Sequence, residues 1–204
     1  MTTASINLDS LTRVLSTYSG RDKALRSLCF LLQLKAHSCH KGKTELLALA
    51  KQCSAARLVL RQFNHPSMVK TCQQFFYGTS TDKVEFACTA TVTGIYTVYG
   101  VVELMAWLSD AKILAMDSAR LWKLCLYMWI TALVAGIIRQ IRLISKKNLR
   151  KAQEEIITLV GLISDFVGAV HSLPHRILWA GKLSPSQSSL FFLIASLIGF
   201  YKVF

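Results

Sequence analysis

Few residues in this 204-residue chain have the types and spacing that do covalent chemistry. His37, Cys39 and His40 sit together with Cys29 upstream, but an H-x-C-H run sets its ligands closer than structural zinc spacings. The segment reads as a solvated loop. His171 and His175 have the i, i+4 spacing of a helical metal pair, yet Pro174 lies between them and no acidic residue completes a metalloprotease pattern, so a turn is expected. There is no Gly-x-Ser-x-Gly elbow, phosphate-cradling glycine loop or dinucleotide fingerprint. Glu103 and Asp165 are the carboxylates set in apolar segments, and both read as paired or interfacial groups rather than as a proton relay. With no converging catalytic set, neither an enzyme nor a cofactor or metal site is expected.

The remaining candidates are apolar surface and positive charge. Lys and Arg number 24 against 11 Asp and Glu, giving a net charge of +13, and 52% of the residues are apolar. The mean hydropathy of +0.39 favours membrane residence. Such a charge calls for an anionic partner. Lipid fits an apolar chain better than nucleic acid, because no zinc-finger spacing, ribonucleoprotein motif or basic zipper is present. The six cysteines never form C-x-x-C, and the N-terminus lacks a basic start followed by an apolar signal core. The exposed parts are therefore expected in a reducing cytosol or in an organelle interior reached outside the secretory route. Tyr201 to Phe204 forms neither a matrix-targeting tripeptide nor a retention tetrapeptide.

With only three prolines and no alternating strand pattern, the chain reads as all-α. It is expected to be a helical integral membrane protein with an amphipathic N-terminal region and about two transmembrane helices. The clearest span is Leu121–Ile138, apolar apart from Lys123 and bounded by Arg120, Arg139 and Arg142. At about 1.5 Å per residue it covers roughly 27 Å, close to the bilayer core. The organisation follows as an amphipathic region over 1–120, a transmembrane helix over 121–144, a basic loop and amphipathic helix over 145–183, and a C-terminal transmembrane segment over 184–204. Phe86 to Val102 is uncharged but diluted by threonine and glycine, and reads as a packed or interfacial helix, with a third crossing as the alternative. Asp110 and Asp117 suit helix starts or turns.

In the N-terminal region, Leu8, Leu11, Leu15 and Tyr18 mark a first helix, with Gly20 ending it and Ser19 capping the next. Leu25, Leu28, Leu32 and Ala36 mark the second. The third is expected to start with Thr44 as N-cap and to end where Asn64, His65, Pro66 and Ser67 break the chain, followed by a short piece from Met68 to Tyr77. Its apolar stripe is Leu46, Leu49, Cys53, Ala56, Leu60 and Phe63. This stripe is the candidate for membrane insertion, with Lys51, Arg57, Arg61 and Lys70 as contacts to anionic lipid. Packing on the other N-terminal helices is the alternative use of the same stripe. After the span, Arg139, Arg142, Lys146, Lys147, Arg150 and Lys151 form a basic cluster.

Several strings occur in order: Tyr18-Ser-Gly-Arg-Asp22, Arg57-Leu-Val-Leu-Arg61-Gln-Phe63, Ala106-Trp-Leu-Ser-Asp-Ala-Lys112 running on to Asp117-Ser-Ala-Arg120-Leu-Trp122, and Ala169-Val-His-Ser-Leu-Pro174 with Leu178-Trp-Ala-Gly181. Together they resemble the gamma type of the peroxin-eleven family, from about residue 10 to the C-terminus. The chain departs from that pattern in a short basic connection after the first span and in ending at Phe204, which counts against a function that needs a C-terminal tail. The resemblance implies a multi-pass peroxisomal membrane protein with both termini in the cytosol, which elongates the membrane ahead of fission. It also implies self-association, association with other family members, and work with a dynamin-like GTPase and its tail-anchored membrane adaptors. The basic cluster with its adjacent span then looks like a targeting signal. The positive-inside rule places that cluster in the cytosol, which with spans at 121–144 and 184–204 would send both termini inward. The family expectation is the reverse and is the one adopted. A metabolite channel is the alternative function, although the clear span offers only Thr131 and Gly136 in its central half. A scaffold that recruits partners without bending lipid is a third reading.

Overall fold

The computed structural model describes residues 8–39, 41–77, 82–174 and 177–204, with the side chain of Leu149 excepted. His40 and His175 lie outside the described residues. The described chain is helical throughout: α1 Leu8–Ser16, α2 Tyr18–Ser38, α3 Lys43–Tyr77, α4 Lys83–Asp110, α5 Ser118–Ser145, α6 Gln153–His171 and α7 Pro185–Tyr201, with a 3-10 turn at Leu149–Lys151. It forms two compact units. One comprises Met1–Leu60 with Ser184–Phe204, and the other Arg61–Leu183. The last segment thus folds with the first rather than standing alone at the end of the chain.

In the first unit the corner between α1 and α2 falls earlier than the sequence suggests. Thr17, not Ser19, is the N-cap, and its hydroxyl accepts from the Gly20 amide at 3.0 Å. Gly20 ends no helix. It lies in the first turn of α2, pressed so close to α1 that a Cβ there would sit 1.9 Å from the Val14 carbonyl oxygen. On α2 the buried line is Asp22, Arg26, Cys29, Leu32 and Ala36, while Leu28 of the expected stripe is exposed. Cys29, Leu32, Ala50 and Cys53 form the core between α2 and α3, with Leu25 and Leu46 packed against it. Burial pushes the Cys29 thiol up, although Arg57 opposes the shift. The capping box of Ser184 and Gln187 and the Pro185 ring start α7, which packs on α2.

Helix α3 corrects two further expectations. It starts at Lys43, just after Gly42 at φ +75°, so Thr44 lies inside it. It also runs unbroken through Pro66, which removes one backbone donor but sits among stronger constraints. Before the proline His65 Nε2 meets the Thr97 carbonyl at 2.8 Å, and after it Phe75 stacks on Phe86 with centroids 5.1 Å apart.

Two helices are long and apolar enough to cross a membrane, α4 and α5. The expected Leu121 span lies within α5. The other is α4, which contains the diluted Phe86 to Val102 stretch, while α7 in the C-terminal segment is a shorter apolar helix of 17 residues. The hydroxyls of Thr89, Thr91 and Thr97 each donate to the carbonyl four residues earlier, so α4 satisfies them itself. Asp82 and Asp117 cap α4 and α5, and Trp122 Nε1 donates to Asp110 at 2.7 Å beside their connecting turn. On the other side of α5, Gly136 lets Leu162 of α6 approach.

The Gly20 contact predicts that Gly20→Ala forces the α1–α2 corner apart. The expected cost is about 1–3 kcal/mol, read as a lower thermal midpoint by circular dichroism in detergent. An unchanged midpoint would show that the corner tolerates a side chain.

Candidate functional site: the third helix and the basic segment

The six residues of the predicted stripe do not share one environment. Cys53 is buried, and Leu46 and Leu60 are half-buried. Leu49 is 50% exposed, Ala56 is exposed, and Phe63 is 82% exposed. The inward face of α3 runs instead through Leu46, Ala50, Cys53 and Arg57, rotated by roughly 60° from the stripe's centre at about 100° per residue. The stripe therefore splits into two lines of heptad spacing, with Leu46, Cys53 and Leu60 turned inward and Leu49, Ala56 and Phe63 outward.

Charge explains the rotation. Arg57 Nε reaches Asp22 Oδ1 of α2 at 3.0 Å, with both side chains largely buried. Arg61 Nε reaches Glu103 Oε2 of α4 at 2.9 Å. Glu103 is only 1% exposed, and it also accepts from Gln62 Nε2 at 3.3 Å and from the Tyr99 hydroxyl at 3.0 Å. The Arg61 guanidinium lies 6.0 Å from the centre of the Tyr99 ring. Gly100 completes this surface, since a Cβ there would collide with the His65 ring at 1.9 Å. Of the four cations expected at lipid, Arg57 and Arg61 thus face internal carboxylates, whereas Lys51 and Lys70 are exposed. At the start of α3 the Glu45 carboxyl is held below its usual range by its own backbone amide and by the Thr44 hydroxyl.

The basic cluster is likewise divided. Arg139 lies 3.8 Å from Glu85, Arg142 donates to Asp82 at 3.2 Å, and Lys146 meets Asp82 and also lies 3.5 Å from Glu85. Lys147 pairs with Glu155 at the start of α6, at 2.5 Å. Arg150 and Lys151 remain exposed. The Lys146 ammonium, with the Glu85 and Val84 amides and Arg142, holds the Asp82 carboxyl well below its usual range, and Asp82 in turn raises Lys146. These pairs clamp the C-terminal end of α5 to the start of α4, a contact that links residues far apart in sequence and was not foreseen.

His171 serves as a loop staple. Its Nδ1 accepts from the Leu183 amide at 3.3 Å and its carbonyl from the Gly181 amide at 3.0 Å, with Gly181 at φ +71°. Among the described residues no three His, Cys, Asp or Glu side chains gather as a metal site.

These features define a class: an all-α membrane protein in which a pair of apolar helices, clamped by charge, accompanies a long cationic helix with an exposed apolar line. The profile of peroxisomal biogenesis factor 11 matches residues 8–156, more than half of the sequence, and the chain belongs to that family. It is 26% identical over 226 residues to human peroxisomal membrane protein 11C, covering 96% of this chain and 94% of the relative. It is 27% identical over 221 residues to the mouse protein of the same name, covering 94% and 92%. No solved structure matches.

Two predictions follow from the ion pairs. Arg61→Met leaves Glu103 buried without its cation and should cost roughly 3 kcal/mol, while adding Glu103→Leu should restore most of that. A thermal double-mutant cycle with no coupling would refute it. For Asp82, whose folded pKa is depressed, the stabilisation is complete above the unfolded carboxylate value of about 3.9. It is lost as pH falls through the lower folded value. The stability difference between the parent and Asp82→Asn should therefore stay level from neutral pH to about pH 5 and shrink only in stronger acid. A difference that disappears already between pH 7 and pH 5 would contradict this.

Proposed function

We propose that this protein remodels the peroxisomal membrane, promoting its protrusion and elongation ahead of fission. Family membership supports a role in peroxisome biogenesis, and the names of the human and mouse relatives support the peroxisomal membrane as the location. The observation that carries the mechanism is the outward line of Leu49, Ala56 and Phe63 on α3, which exposed Lys70 continues one heptad on. An apolar line that ends in a cation inserts shallowly into an anionic leaflet, expands that leaflet and favours curvature.

In this reading α4 and α5 are the crossing pair, each about 42 Å long at about 1.5 Å per residue. Two crossings at these positions set the start of α4 and the chain after α5, with the basic cluster, on one side of the membrane. The positive-inside rule and a cytosolic C-terminus then agree, where spans at 121–144 and 184–204 set them in conflict. Exposed Arg150 and Lys151, beside α5, are the part of the cluster available to a targeting receptor.

From Arg61 onward α3 lies along α4, and its outward Ser67, Lys70, Gln73 and Gln74 are exposed. Self-association and association with other family members are proposed alongside this reading, on the pattern of the family. The dynamin-like GTPase and its tail-anchored adaptors are the partners proposed for the later fission step. The channel reading gains no support from α4, because α3 occupies the Thr97, Gly100 and Glu103 side of that helix.

The test uses Leu49→Glu with Phe63→Glu, because both side chains already face outward and their charge should leave packing intact. Expression of the parent should elongate peroxisomes, and the correctly targeted double variant should not. Elongation that persists in the variant would remove α3 insertion from the mechanism.

A further inference from the structure

We infer that α7 does not cross the bilayer but is the apolar seat of an interfacial pair, in which α2 turns Arg21, Ala24, Leu28, Leu31 and Lys35 toward an anionic lipid leaflet. The inference rests on the membrane reading above and concerns the first compact unit alone.

The register between the two helices carries the argument. The Lys23 stem lies against Gly199, where a Cβ would be 3.1 Å from Cδ. Phe30 stacks on Phe192 with centroids 4.8 Å apart and planes at 24°, and Gln33 meets Ser189 at 3.4 Å. Rising numbers on α2 meet falling numbers on α7, so the helices are antiparallel. Arg26, between Lys23 and Phe30, therefore falls beside the middle of α7. Its guanidinium is 5.7 Å from the centre of the Phe30 ring. A crossing by α7 would draw α2 with it and set Arg26 near the bilayer centre, with Lys23 and Asp22 one turn away, the least favourable depth for charged groups. Length agrees, since 17 residues give about 25 Å of helix against a core of about 30 Å.

The apolar character of α7 has another use. Ser189, Phe192, Leu193, Ala195 and Ser196 are buried, which leaves a narrow exposed ridge of Leu190, Leu197 and Tyr201. A sequence apolar on nearly every side is what a helix needs when protein surrounds most of it.

The outward face of α2 supplies the membrane contact. Arg21, Ala24, Leu28, Leu31 and Lys35 follow one another at helical spacing on the side away from both α3 and α7. Leu28 is 42% exposed and Leu31 is 41% exposed, between exposed cations about 21 Å apart. Long cationic side chains at both ends of an apolar line can reach phosphates while the line sinks below them. The described residues of this unit carry ten Lys and Arg against Asp9, Asp22 and Glu45, a charge that selects an anionic surface.

The experiment uses the full chain in intact peroxisomes, with one cysteine added at a time at Arg21, Lys182 or Phe204. A membrane-impermeant maleimide polymer is applied before and after detergent, and mass shifts beyond those of the parent are counted. Lys182→Cys and Phe204→Cys flank α7 and should label under the same condition as Arg21→Cys. If one flank needs detergent and the other does not, α7 crosses and the inference fails. If all three need detergent, the inference stands and the cytosolic orientation proposed above falls. The lipid contact is tested in reconstituted vesicles by the labelling rate of Leu31→Cys. Labelling several-fold slower with phosphatidylserine present than with phosphatidylcholine alone supports the docking face, and equal rates overturn it.

Discussion

Glu103 is a carboxylate that water scarcely reaches, on a helix otherwise apolar enough to enter a membrane, and groups from two helices converge on it. An isolated buried charge is prohibitively costly, so cation and hydrogen-bond donors must come to it. Tyr99 comes from its own helix, and Arg61 and Gln62 come from α3. This fixes the side of α3 that meets α4 and accounts for the unbroken course through Pro66. Contacts on both sides of the proline hold one continuous face against one partner. The same rotation turns Phe63 away from the bundle.

The helices were legible in the sequence because their signals are local. Apolar spacing marked α2 and α3, and the aspartates at 110 and 117 marked the turn before α5. Much of the rest depended on contacts between distant residues. The stripe from Leu46 to Phe63 is one continuous band on a helical wheel, and nothing within it reveals that Arg57 will turn toward Asp22, 35 residues away. The Pro66 rule described an isolated helix, and tertiary contacts overrode it. Threonines lowered the apparent hydropathy of α4, although their hydroxyls bond to the helix's own carbonyls and place little demand on the surroundings. In α7 the composition of a span and that of an enclosed helix coincide, so only the observed partner distinguishes them.

A net charge of +13 does not describe an evenly basic surface. Asp22, Asp82, Glu85, Glu103 and Glu155 each face Arg or Lys inside the fold, and these pairs hold helices together. The scarce acids are spent on architecture, which concentrates the excess cations on α2, on the outward side of α3 and beyond the end of α5. A basic composition alone would suggest diffuse attraction to anions. The fold converts it into separate cationic borders beside apolar lines.

The pairing of α2 with α7 has a consequence in time. Gln33 and Ser189 are 156 residues apart, and synthesis at about 5–20 residues per second separates them by roughly 8–30 s. During that interval the face of α2 that will hold Phe192 has no partner, and the first unit cannot close until α7 has been made. A nascent chain that lacks α7 is therefore a poor candidate for membrane binding through this unit, while one that has α7 is competent. The order of assembly built into the topology ties membrane binding by this unit to the arrival of α7.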